Sequence, residues 1–117
     1  METIQDIWKG IDRSRGFGEV SARWVSNNVD RVRLIDVREP DELVSMLGKI
    51  EGVENVPLQR LHSAAQGWDR DEPLIVICRS GGRSGRAAML LEAMGFTHVA
   101  SMDGGMLDWS TNGLPVA

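Results

Sequence analysis

Residues 74–89 read LIVICRSGGRSGRAAM. Leu74 to Ile77 form an unbroken branched apolar run behind Pro73, the pattern of a central strand buried on both faces. The stretch from Cys78 to Gly82 is polar and carries two adjacent glycines. From Ser84 to Met94 apolar residues return at 87, 90, 91 and 94 and stop before Gly95, the spacing of one helix face. This stretch therefore specifies strand, glycine loop, helix, and places the only cysteine of the chain at the strand's carboxyl end.

The same alternation continues on both sides. Val20 to Val25 reads as a strand end followed by a Ser-capped helix, and Val32 to Val37, VRLIDV, as a strand. Pro40 suits the first turn of a helix and Asp41 and Glu42 its positive end, which predicts a helix over 40–47 closed by Gly48. A brief strand over 53–56 ends at Pro57, a helix follows over 58–65, and a last strand over 98–102 leads through Gly104-Gly105 into a helix over 106–110. Such a chain predicts an α/β fold, a mainly parallel central sheet flanked by helices on both faces. The ligand crevice of such sheets lies beyond the carboxyl ends of the strands, where Cys78 stands. Ahead of this, Ile4, Ile7, Trp8 and Ile11 predict a short amphipathic helix over 3–11 that either packs on the domain or docks a partner, with Gly16 and Gly18 ending the segment. Residues 1–18 thus read as an N-terminal extension and 19–117 as the domain.

One domain of 117 residues removes roughly two-thirds of its unfolded surface from water without disulfide or metal staples. The net charge of −4 argues against a nucleic-acid partner. Neither a basic start with an apolar core nor a run near the roughly 20 apolar residues of a membrane span is present, so no membrane is expected and the cytoplasm is the expected location. A single cysteine cannot form an intrachain disulfide. Zinc, nucleotide and flavin lack a binding signature, so no cofactor and no metal are expected. His62 and His98 lack metal-ligand spacing and read as surface or core-edge residues. Trp8, Trp24, Trp68 and Trp109 read as core or edge residues, unless one near the loop walls a pocket.

A cysteine with its ordinary pKa, about 8.5, is only a few per cent thiolate at neutral pH, and the thiolate is the nucleophile. Three features here favour ionisation. The helix after the loop points its unpaired amides back at it, Gly81 and Gly82 let consecutive amides converge on one point, and Arg79, Arg83 and Arg86 add permanent charge. A cysteine that served only as a small buried hydrophobe would gain nothing from such donors.

Cys78-Arg79-Ser80-Gly81-Gly82-Arg83-Ser84 resembles the active loop of rhodanese-like sulfurtransferases. Leu34 to Glu42, LIDVREPDE, resembles that family's first signature, residues 48–57, GKIEGVENVP, its second, and Gly104 to Trp109, GGMLDW, its third. Lys49 departs from the pattern, standing where many members have a histidine. The resemblance implies that Cys78 is the nucleophile and sulfur carrier. It also implies that the amides from Arg79 through Ser80, Gly81, Gly82 and Arg83 to Ser84 cradle a persulfide, while Arg79 and Arg83 favour the thiolate and attract anionic donors. Ser84 either caps the following helix or bonds the persulfide, and capping is the preferred reading. Asp36 and Arg38 read as a structural pair that supports the loop from the neighbouring strand end.

Four residues separate Cys78 from Arg83, the spacing that the resemblance associates with sulfane sulfur, whereas related phosphatases carry one residue more. The implied reaction takes a sulfur from a small anionic donor such as thiosulfate onto Cys78 and passes it to cyanide or a thiol. With no second cysteine in the chain, the acceptor acts in trans. Two other classes compete with this one: a thiolate phosphatase or arsenate reductase, and a non-catalytic or regulatory binding module.

Overall fold

The computed structural model describes residues 2–117; Met1, the first residue of the expected extension, lies outside them. Strands β1 (Glu19–Val20), β2 (Arg33–Asp36), β3 (Glu54–Asn55), β4 (Leu74–Ile77) and β5 (Val99–Met102) form one sheet in the order β1-β5-β4-β2-β3, every neighbouring pair parallel. The helices that alternate with them are α1 (Ile4–Trp8), α2 (Ala22–Asn27), α3 (Pro40–Leu43), α4 (Leu58–Ala64), α5 (Gly82–Ala93) and α6 (Gly105–Thr111). Among the described residues, no helix is long and apolar enough to cross a membrane.

Successive side chains of a strand point to opposite faces, and β4 shows what this achieves at the centre of the sheet. Leu74, Val76 and Cys78 pack with Leu61 of α4 and with Ala87, Ala88 and Leu91 of α5. Ile75 and Ile77 pack on the other face with Val25 of α2 and with Met106 and Trp109 of α6. All four β4 residues are fully buried, each worth about 1.5–3 kcal/mol relative to exposure. Cys78 thus leaves the sheet on the face covered by α5, the helix that its own loop feeds.

Element boundaries depart from the sequence pattern for local reasons. Thr3 and Asp6 close a reciprocal capping box at the start of α1, but the helix stops at Trp8 rather than Ile11, ahead of Gly10 at φ +74°. The helix predicted over 40–47 ends at Leu43, where the Glu42 carbonyl accepts from the Ser45 amide at 3.2 Å and from the Arg38 guanidinium at 3.1 Å instead of from an amide one helical turn on. Gly81, at φ +108°, stands at the N-cap of α5, so this helix opens at Gly82, two residues before Ser84.

The segment ahead of β1 packs on the domain. Ile7 is buried, and Trp8 meets Trp24 edge to face at 5.6 Å and His98 at 5.5 Å between ring centroids. Phe17 enters the core on the α5 side, and Arg13 reaches Glu92 of α5 at 2.8 Å. A Cβ on Gly85 of α5 would lie 2.7 Å from the Phe17 ring, so the absent side chain at 85 makes room for the aromatic one at 17.

Gly85→Ala is therefore expected to destabilise the protein by about 1–2 kcal/mol despite the better helix propensity of alanine. In a Phe17→Ala background the same substitution should turn stabilising, by up to about 1 kcal/mol. Urea midpoints of the four proteins check this; equal effects in both backgrounds would refute the fitted pair.

Candidate functional site

The backbone turns sharply after Cys78 and re-enters its own sulfur. The Gly81 amide donates to Cys78 Sγ at 3.0 Å and the Ser84 amide at 3.3 Å, with the Ser84 hydroxyl 3.4 Å from the same sulfur. Gly81 makes this possible because its positive φ reverses the chain within two residues. Cys78 is buried, which pushes its thiol pKa up. The Ser84 hydroxyl and the amides of Ser84, Gly81 and Ser80 outweigh that burial, so the pKa lies below its ordinary value. The donors around the sulfur thus favour its ionised form over its protonated one.

The loop keeps its shape through its carbonyls. Met106 and Leu107, in the first turn of α6, donate their amides to the carbonyls of Cys78 at 2.9 Å and Arg79 at 3.0 Å. That approach depends on Gly105 at φ +56°, where a Cβ would lie 2.5 Å from the backbone of Cys78 and Arg79. Two helix starts therefore divide the loop: α5 serves the sulfur and α6 the carbonyls.

Arg83 forks onto Glu42 of α3 at 2.8 and 2.9 Å. This forked bond, against some burial, draws the Glu42 carboxyl down to about 2 and raises Arg83 in turn. Asp36 and Arg38 form a fully buried pair at 2.8 Å, and Arg38 also donates to the carbonyls of Glu42 and Gly48. This pair directly holds segment 39–48, and its strand end lies beside the start of the cysteine loop, with Asp36 in register with Ile77. Ser84 is not the helix cap, since Gly81 holds that place; its hydroxyl lies against Sγ and 2.7 Å from Ser101 Oγ. Arg79 and Ser80 are exposed at the rim.

Beside the loop is a cleft of about 380 Å³ lined by Val37, Glu39, Leu58, Gln59, Arg83 and Arg86. Arg86 has no ion-pair partner among the described residues, so with Arg79 it supplies free positive charge at the rim. No tryptophan lines this cleft: Trp109 is buried and Trp68 packs on Phe96 under Arg33. His62 is a surface residue and His98 lies at the core edge. Sequence reasoning missed Glu42 and Ser101. The signal for Glu42 was its place in LIDVREPDE; Ser101 carried only the oddity of a hydroxyl inside a buried strand.

A family model for the rhodanese-like domain matches residues 21–112. A Pseudomonas fluorescens protein described as thiosulfate sulfurtransferase GlpE is 38% identical over 78 residues, 67% of this chain and 70% of that protein. YqhL of Bacillus subtilis, described as uncharacterized, is 38% identical over 79 residues, 68% of this chain and 61% of its own length. Among solved structures, a rhodanese-related protein from Thermoplasma volcanium superposes with a TM-score of 0.77 at 31% identity, covering 85% of this chain and 96% of that one.

Gly105→Ala should destabilise the protein by about 3 kcal/mol or more, because the clash is with backbone and the φ is left-handed. A thermal melt reads this as a fall of about 10 °C or more. Glu42→Gln should cost about 1 kcal/mol near neutral pH, discounted for partial exposure. The folded Glu42 pKa lies below the unfolded one, so its stabilisation is complete above the unfolded value and is lost as pH falls toward about 2. Urea midpoints of parent and variant should therefore converge on acidification; a constant gap would refute the ion pair as the cause.

Proposed function

The chain belongs to the rhodanese-like domain family, and from that membership and the sulfur cradle we propose that it is a sulfurtransferase working through a persulfide on Cys78. The observation that carries this reading is the pair of amides, Gly81 and Ser84, 3.0 and 3.3 Å from a buried sulfur. A packing cysteine has no use for them. The Pseudomonas fluorescens relative is described as a thiosulfate sulfurtransferase, which supports thiosulfate as donor.

In the proposed reaction the Cys78 thiolate attacks the outer sulfur of thiosulfate. The sulfur–sulfur bond of the donor breaks and sulfite departs with its electron pair, leaving Cys78 as an anionic persulfide. An acceptor thiolate or cyanide then attacks the outer sulfur and restores the Cys78 thiolate, giving ping-pong kinetics. Gly82 and Arg83 open α5, so their amides have no intrahelical acceptor and are the donors proposed for the added sulfur. Arg79 and Arg86 draw the anionic donor in. Arg83, bound to Glu42, is assigned to holding α3 against the loop. With one cysteine in the chain the acceptor comes in trans, and the cytoplasm, where thiols stay reduced, is the proposed setting.

Intact-protein mass after incubation with thiosulfate tests the reading. The parent is expected to gain about 32 daltons, one sulfur, that a thiol reductant removes, and Cys78→Ser to gain nothing. No gain in the parent with thiosulfate or with a protein persulfide donor would overturn sulfur transfer in favour of a binding module.

A further inference from the structure

Ser101 lies on β5 in register with Val76, two residues before Cys78 on the neighbouring strand, and its side chain points toward α5. It is fully buried on an otherwise apolar face. Its hydroxyl has one hydrogen-bond partner among the described residues, Ser84 Oγ at 2.7 Å. Ser84 Oγ in turn lies 3.2 Å from the Gly81 carbonyl and 3.4 Å from Cys78 Sγ. A hydroxyl has one proton to give and two lone pairs to receive with. If Ser84 gave its proton to Ser101, the Ser101 proton would be buried without an acceptor, and none would be left for the sulfur.

We propose that Ser101 is a positioning residue for the thiol: its hydroxyl donates to Ser84 Oγ and so commits the Ser84 proton to the side of the Gly81 carbonyl and Cys78 Sγ. In the thiol form the S–H donates to Ser84 Oγ and the Ser84 proton rests on the Gly81 carbonyl. On ionisation the S–H donor is lost and the Ser84 proton swings to the sulfur, while Ser101 continues to donate to Ser84. A persulfide, an anion on the same side chain, is served by the same arrangement. The proposal rests on Cys78 being the reactive thiol and adds a residue, outside the loop, that sets how readily it ionises.

The test is a titration of the Cys78 thiolate, followed by its ultraviolet absorbance and by its alkylation rate against pH, in a double-mutant cycle. Ser101→Ala should raise the Cys78 pKa enough to lower the thiolate fraction about threefold to tenfold at a pH below it. Ser84→Ala should raise it also, and adding Ser101→Ala to Ser84→Ala should change nothing further. Ser101→Thr, which keeps the hydroxyl, should hold the parent value, whereas the isosteric Ser101→Val should match alanine. The Thr and Val pair decides the matter if alanine unfolds the strand.

The charged groups on the surrounding elements are Arg79, Arg83 with Glu42, Arg86 and Glu92 of α5, the latter paired with Arg13, Asp36 with Arg38, Asp103 ahead of α6 and Asp108 within it, and Glu19 of β1 with Arg15. These substitutions alter none of them. An unchanged pKa in Ser101→Ala, an equal increment in both backgrounds, or a Val variant that matches Thr overturns the proposal. Because the readout is ionisation, a parent that takes up no sulfur yet obeys this cycle would sink the sulfur-transfer reading alone.

Discussion

The site depends on the capture of two backbone carbonyls. Cys78 and Arg79 would direct these groups into a forming α5, as acceptors for its first amides, if the strand ran straight into the helix. Instead α6 takes them through the amides of Met106 and Leu107. The opening amides of α5 then have no partner behind them, and the chain has to curl so that Gly81 and Ser84 face the sulfur. The glycine at 105 is the condition for this, because any side chain there would occupy the space of the loop backbone. The third sequence signature, far from the cysteine along the chain, is in structural terms the back wall of the loop.

Charge follows from the same constraint. A buried sulfur resists ionisation, and the force opposing that resistance comes chiefly from dipoles: two amides and a hydroxyl within 3.4 Å. The two amides are fixed by the backbone and need no rearrangement when the anion forms, which is the property that electrostatic preorganisation requires; only the hydroxyl turns. The guanidinium nearest in sequence to the helix start is already neutralised by Glu42. At the rim, Arg79 and Arg86 are exposed and carry positive charge with no ion-pair partner among the described residues.

How much of this was legible can be judged residue by residue. The β4 run, its position at the sheet centre, the cysteine at its carboxyl end and the helix after it all followed from local pattern, because burial on both faces leaves no room for polar residues. Asp36 and Arg38 were legible as a pair, being two residues apart at the end of one strand. Arg83 and Glu42 were not, since they stand 41 positions apart and either would pass as a solvated surface charge. Ser84 was misread as a cap because serine suits that position; Gly81, with its positive φ, took it instead and moved the helix start by two residues. The length of α3 could not be read from its own residues either, as the Glu42 carbonyl near its end accepts from Ser45 and Arg38, both outside the helix.

Ser101 shows where pattern reading reaches its limit. A serine within VASM lowers the apparent strand propensity slightly and is otherwise unremarkable. Its burial, however, carries a desolvation penalty of about 1–3 kcal/mol unless the hydroxyl is bonded, and its partner is Ser84. The same period of two that sends Leu74 and Val76 into the α5 face sends Cys78 and Ser101 there as well. An apolar residue at 101 would remove that penalty and leave Ser84 free to turn either way. The polar choice becomes intelligible only when the sheet register is combined with the proton count at Ser84, and neither is a property of the segment in which the serine sits.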